Sequence, residues 1–185
     1  MNLIKRNAEY DNRGFSLVEL LVVIAIMGIL VGGVTLGIGI VFSKDAARCA
    51  TRLNDAIYTT RMESMSKEGA YTLTINKDAG GKYMAEIDNG SGIKETFDLE
   101  GNGKSIDEIK CTYSEISGEW GMPIVISFDK SKGNVYKITA NGANKYEAGS
   151  TEDGVVCFDI KPLRGNKLSK VKLVTGTGKH TIGDF

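Results

Sequence analysis

The chain has 185 residues, 23 basic and 23 acidic side chains and a formal net charge of zero. That balance argues against a nucleic-acid coat or a polybasic membrane-surface protein, and a single His argues against His-based metal clusters and triads. Gly is frequent at 23 and Pro scarce at 2, so this is no Pro-rich linker protein. The length suits one domain with an appendage.

The first segment, residues 1–14, is hydrophilic and carries Lys5, Arg6 and Arg13 against Glu9 and Asp11. Leu20–Phe42 then runs for 23 residues without a charged side chain. As a helix it would be ~35 Å long, enough for a bilayer core. The basic flank favours a cytoplasmic N-terminus with the C-terminal part on the far side of the membrane. A cleaved secretory signal fits poorly, because its apolar stretch is usually ~7–15 residues and ends in a small-residue site. A lipoprotein signal needs a Cys closing the run, whereas Cys49 lies beyond Lys44, Asp45 and Arg48. A buried core helix would show a polar face. A plain single-pass anchor fits the length but leaves Glu19 unexplained, and an ionisable group at the edge of a membrane segment is by default a functional candidate.

The run Gly14-Phe15-Ser16-Leu17-Val18-Glu19-Leu20-Leu21-Val22-Val23-Ile24-Ala25-Ile26 resembles the signature of type IV prepilins and pseudopilins. The resemblance implies cleavage between Gly14 and Phe15 by a prepilin peptidase, N-methylation of Phe15, and retention of the apolar helix in the mature chain. It also implies a role for Glu19 in assembly, pairing with the α-amino group of Phe15 on a neighbouring subunit. The competing reading is a carboxylate that favours the positive N-terminal end of its own helix. The sequence departs from many major pilins in having no Pro within the apolar segment, with Leu36 at the corresponding place. It offers Gly28, Gly32, Gly33, Gly37 and Gly39 instead, which weaken the helix or let helices approach closely.

The helix is predicted to continue to about residue 68, ahead of Gly69. Phe42, Ala46, Cys49, Leu53, Ile57, Thr60 and Ser64 recur at three or four residues and mark one face. The periodicity then changes. Strands are predicted over 71–76, 82–88, 96–99, 109–113, 124–128, 135–139, 155–160 and 170–175, with turns at Asn89-Gly90, Gly101-Asn102-Gly103, Lys132-Gly133-Asn134 and Arg164-Gly165-Asn166. The expected fold is α+β: a long N-terminal helix, half membrane and half exposed, leading into an antiparallel β-rich head. The expected division is a leader at 1–14, a membrane or filament-core helix at 15–42, an amphipathic extension at 43–68 and the head at 69–185. Arg52–Ile57, Arg61–Ser66 and the alternating strand that follows resemble H-type minor pseudopilins of type II secretion and FimT-like minor pilins. Val171–Lys179 resembles their final strand and turn.

Of the three cysteines, Cys49 lies on the apolar helix face and reads as a small core residue. Cys111 and Cys157 fall in two predicted strands, leaving open a disulfide or two buried thiols. No Cys-x-x-Cys, nucleophile elbow, zinc-helix or phosphate-loop pattern is present, so no enzyme, metal or cofactor is expected. The acidic Gly-containing segments 78–81 and 98–107 lack EF-hand spacing and read as solvated turns. From Asp159 to Phe185, Lys161, Arg164, Lys167, Lys170, Lys172 and Lys179 give a net charge of +4, a candidate DNA contact or a set of edge-protecting lysines.

The expected function is thus a non-enzymatic, membrane-anchored filament subunit, a minor pseudopilin or minor pilin of a type II secretion pseudopilus or type IV pilus. Its expected partners are other pilin or pseudopilin subunits, the prepilin peptidase and methyltransferase, an inner-membrane assembly platform and membrane lipid. The rival readings are a DNA-capturing minor pilin and an anchored extracellular ligand-binding domain. The expected location is the cytoplasmic membrane with the head outside it, then an extracytoplasmic filament.

Overall fold

The structure is a computed structural model that describes residues 16–101, 103–114 and 118–184, excepting the side chains at 33–43, 94 and 184. Gly14 and Phe15, the expected cleavage pair, therefore lie outside the described residues. The chain divides into two compact units, Met1–Ile38 and Gly39–Phe185.

One helix, α1, spans Leu17–Ser66. Three residues past its end Gly69 takes φ 127°, a conformation that L side chains rarely adopt, and the chain turns into the sheets. Ten strands follow: β1 Thr72–Lys77, β2 Tyr83–Asp88, β3 Ile93–Asp98, β4 Ile106–Tyr113, β5 Ile124–Phe128, β6 Val135–Ala140, β7 Ala143–Glu147, β8 Val155–Pro162, β9 Ser169–Val174 and β10 His180–Asp184. They form a six-stranded sheet in the order β3-β2-β1-β5-β6-β7 and a four-stranded sheet in the order β10-β9-β8-β4. Every strand pairing is antiparallel, as the period-two patterns require when one sheet face is buried and the other wet.

The fold matches the α+β expectation, with two strands added. β7 (Ala-Asn-Lys-Tyr-Glu) has no alternation to read, because only Tyr146 is buried. β10 follows the Val171–Lys179 segment, which is therefore not the closing strand, and its apolar content is a single Ile. A bulge between Ser127 and Phe128 inserts Tyr136 into β6, so burial there steps from Val135 to Ile138 and the alternation slips by one.

One buried cluster joins three layers within Gly39–Phe185. The helix supplies Ala46, Cys49, Ala50, Leu53, Ala56 and Ile57. The six-stranded sheet supplies Leu73, Ile75, Ala85, Ile87, Ile124 and Ile126, and the four-stranded sheet Ile109, Cys111, Val156, Phe158, Val171 and Leu173. Every second residue of the central strands faces inward, and the small side chains on α1 let the helix lie close to them. Thr60 and Ser64 complete the buried helix face and remain hydrogen-bonded, Thr60 Oγ1 to Ala56 O at 2.7 Å and Ser64 Oγ to Phe128 O at 3.1 Å.

The connection from β3 to β4 is held by acidic side chains that accept backbone amides. Glu100 accepts from the N–H of Tyr83 (2.8 Å), Ser105 (2.6 Å) and Ile106 (2.9 Å), tying the two sheets together. Asp98 accepts from Glu100 and Gly101 N–H and receives Lys82 Nζ at 3.1 Å.

Candidate functional site

The described N-terminal segment begins with a helix cap. Ser16 precedes α1, its Oγ accepts Glu19 N–H at 3.2 Å, and its carbonyl accepts Glu19 and Leu20 N–H at 3.0 and 3.2 Å. Ser-x-x-Glu is the residue pattern of a capping box, in which a hydroxyl satisfies one of the orphan amides of the first turn. The Ser16–Leu17–Val18–Glu19 order thus fixes where the helix starts and sets Glu19 in its first turn. The Glu19 side chain is exposed, and its position suits the partial positive charge of the helix start.

The next residues have nothing within the chain to pack on. Every residue from Ser16 to Gly32 is exposed, including Leu17 at 80% and Ile29 at 74%. An apolar surface of this extent around a whole helix is a surface for lipid or for other protein. A Cβ added at Gly28 or Gly32 would meet nothing within 4 Å, so no packing within the chain demands glycine at either place. Among the described residues no helix is long and apolar enough to cross a membrane; residues 33–43 of the expected span lie outside the described side chains.

Further along α1, within Gly39–Phe185, the expected face is the buried one: Ala46, Cys49, Leu53, Ile57, Thr60 and Ser64 are all at 2% exposure or less. Two arginines pin this part to the sheets. Arg52 Nη1 donates to Asp98 O at 2.7 Å. Arg61 Nε donates to Gly133 O at 2.7 Å and its Nη2 to Thr177 O at 3.2 Å, so one guanidinium holds a turn from each sheet. Gly133 and Gly178 have φ of 65° each, and a Cβ on Gly178 would overlap the Gly133 carbonyl oxygen. The periodicity argument missed both arginines, because it treats charged residues off the buried face as solvated. Their nearness to that face, one position from Leu53 and from Thr60, was the available clue.

The cysteines are free thiols. The considered Cys111–Cys157 bridge is not made in this structure: Cys111 sits opposite Phe158 and Cys157 opposite Thr112, so the two point to opposite faces of the four-stranded sheet. Burial raises the Cys111 thiol far above its ordinary range, and burial, with the charges of Glu100 and Asp98 adding to it, pushes Cys49 up to about 12.

The basic residues of the C-terminal stretch are dispersed and partly neutralised. Lys161, Lys170 and Lys172 project from β8 and β9, Arg164 and Lys167 lie in the loop between them, and Lys179 lies in the β9–β10 turn. Lys161 pairs with Asp107 at 2.7 Å and Lys170 with Asp159 at 3.1 Å, cross-strand partners invisible to a count along the chain. His180 lies against Tyr58, ring centroids 6.1 Å apart, with Gly178 O 3.2 Å from its Nδ1.

Residues 10–35 match the family model described as the prokaryotic N-terminal methylation motif. No curated protein and no solved structure matches the chain. The match covers the N-terminal segment alone and supports a type IV pilin-like or pseudopilin chain, a class processed by prepilin peptidase and assembled with other pilin subunits.

Proposed function

We propose that the chain is a minor subunit of a type II secretion pseudopilus or type IV pilus, of the H-type. In this reading it is made as a prepilin, cut between Gly14 and Phe15, methylated on Phe15, anchored by its apolar helix and then built into a filament through that helix. The leader is 1–14, the anchoring helix 15–42, its extension 43–68 and the head 69–185. The supporting observation is the juxtaposition of the methylation motif with a capped helix that carries Glu19 in its first turn and exposes only apolar or small side chains from Leu20 to Gly32.

In a filament this helix leaves water. A carboxylate there is tolerated only when paired, and the positive α-amino group of a neighbour's Phe15 is the partner that processing creates. Glu19 then sets the axial register between subunits. The DNA-capture reading loses support from the Lys161–Asp107 and Lys170–Asp159 pairs.

The test is the intact mass and N-terminal sequence of protein from its native membrane, with Glu19→Gln carried in parallel. The expected result is loss of residues 1–14 with methylated Phe15 in both, and failure of the variant alone to enter filaments. A retained leader in cells with an active prepilin peptidase would sink the proposal and leave an anchored binding domain.

A further inference from the structure

Just beyond the charge-free run, α1 carries Lys44, Arg48 and Arg52 at four-residue spacing. Each four-residue step turns the helix by about 40°, so the three lie within an arc of about 80°. With Ala47 and Thr51 they line one shallow groove. Arg52 is committed to the head through Asp98 O at 2.7 Å. Arg48 is exposed, and Asp45 at 3.5 Å reaches it only at the limit of hydrogen bonding. Lys44 is exposed and has no carboxylate partner among the described residues.

The heights are informative. At about 1.5 Å per residue, Lys44 stands about 3 Å and Arg48 about 9 Å past Phe42, while Arg52 stands about 15 Å past it. The headgroup layer on each side of a bilayer is about 5–7 Å thick. Lys44 and Arg48 therefore fall at the level of lipid phosphates when the apolar run spans the membrane, and Arg52 falls beyond it. Long basic side chains at this depth lay their alkyl stems along apolar surface and keep the charge in the headgroup zone.

We propose that Lys44 and Arg48 bind the headgroup phosphates of acidic phospholipids in the leaflet facing the head. Arg52, fastened to the β3–β4 connection, then fixes the height of the head above that surface. The proposal rests on the membrane-anchored reading. It assigns the stripe to lipid rather than to acidic residues of a second subunit, because the two unpaired cations are the two at headgroup depth.

The processed full-length chain is the form to test, since cleavage after Gly14 removes Lys5, Arg6 and Arg13, the other basic residues near the bilayer. It is reconstituted in phosphatidylcholine vesicles, with or without phosphatidylglycerol replacing about a third of the lipid. Spin-labelled lipids report the relative association of the two headgroups. The expected result is a preference for phosphatidylglycerol that falls about five-fold for Lys44→Gln or Arg48→Gln at low ionic strength, further for the pair, and fades with salt. Lys132→Gln, an exposed lysine in the β5–β6 turn, is expected to change nothing. An unchanged preference in the Lys44→Gln/Arg48→Gln pair, or an equal drop in the Lys132 variant, overturns the proposal. So does a loss of filament cross-links in the pair with lipid preference intact, which would give the stripe to a neighbouring subunit. Release of wild-type chain from pure phosphatidylcholine vesicles by alkaline carbonate would instead sink the membrane-anchored reading itself.

Discussion

Replacing Arg61 by Ala removes the one side chain that grips a turn from each sheet. Two hydrogen bonds go: a short, part-buried one to Gly133 O and a longer, exposed one to Thr177 O. A hydrogen bond from a charged donor contributes about 1.5–3 kcal/mol when sheltered, and the exposed one adds a fraction of that. The expected loss is about 2–3 kcal/mol, against a total of about 5–15 for a domain. The acceptors are neutral carbonyls, so the loss should persist in high salt, unlike that of a surface ion pair. Arg61→Lys keeps the charge but not the planar fork and should recover less than half. Trp120 is the only Trp, 7% exposed and stacked on Tyr113, so its fluorescence during urea unfolding of the detergent-solubilised chain reports the head. A loss below about 0.5 kcal/mol, within the scatter of ordinary surface substitutions, would refute the view that Arg61 joins the two turns to the helix.

Other outcomes follow from the same geometry. Gly178→Ala forces a Cβ onto the Gly133 carbonyl at a positive φ and should cost about 3 kcal/mol in the same titration; a neutral effect would mean the turns are not packed as described. The buried thiols should be inert to a thiol reagent in the folded chain from pH 7 to about pH 9, reacting only on unfolding, and protein from an oxidising compartment should show no Cys111–Cys157 bridge on a non-reducing gel. Burial tends to raise the Asp98 carboxyl, but the Gly101 amide, the Lys82 ammonium and the Glu100 amide outweigh it and hold it below the ordinary 3.8. A depressed folded-state value means its stabilisation is present at neutral pH and disappears as the pH falls through that lowered value. Asp98→Asn should therefore lower stability at pH 7 and flatten its decline below pH 4; an unchanged acid limb would refute the assignment.

The helix and the central strands were legible because their patterns are regular. Ala46, Cys49, Leu53, Ile57, Thr60 and Ser64 repeat with the helical period, and β1, β2, β5, β8 and β9 alternate cleanly. The edge strands β7 and β10 were not legible, since an edge strand buries little and carries little apolar signal. The Gly14–Glu19 stretch was readable because a processing enzyme recognises residues in linear order. The Arg61 junction was not, because its partners Gly133 and Thr177 lie 72 and 116 positions away. The cysteine pair failed for a related reason: two strands can be neighbours while a one-residue offset in register turns the side chains apart.

The placement of Arg52 and Arg61 bears on how the head withstands mechanical traction. A subunit drawn by its N-terminal helix would transmit tension into a segment fastened at two heights, first at the β3–β4 connection and then where turns from both sheets converge. Sliding the helix along its axis must break both fastenings and drag Leu53 and Ile57 past the strands together, so resistance is shared rather than met one contact at a time. The head is thus built to travel with its helix as one piece, and Arg61→Ala should lower the force at which the two part.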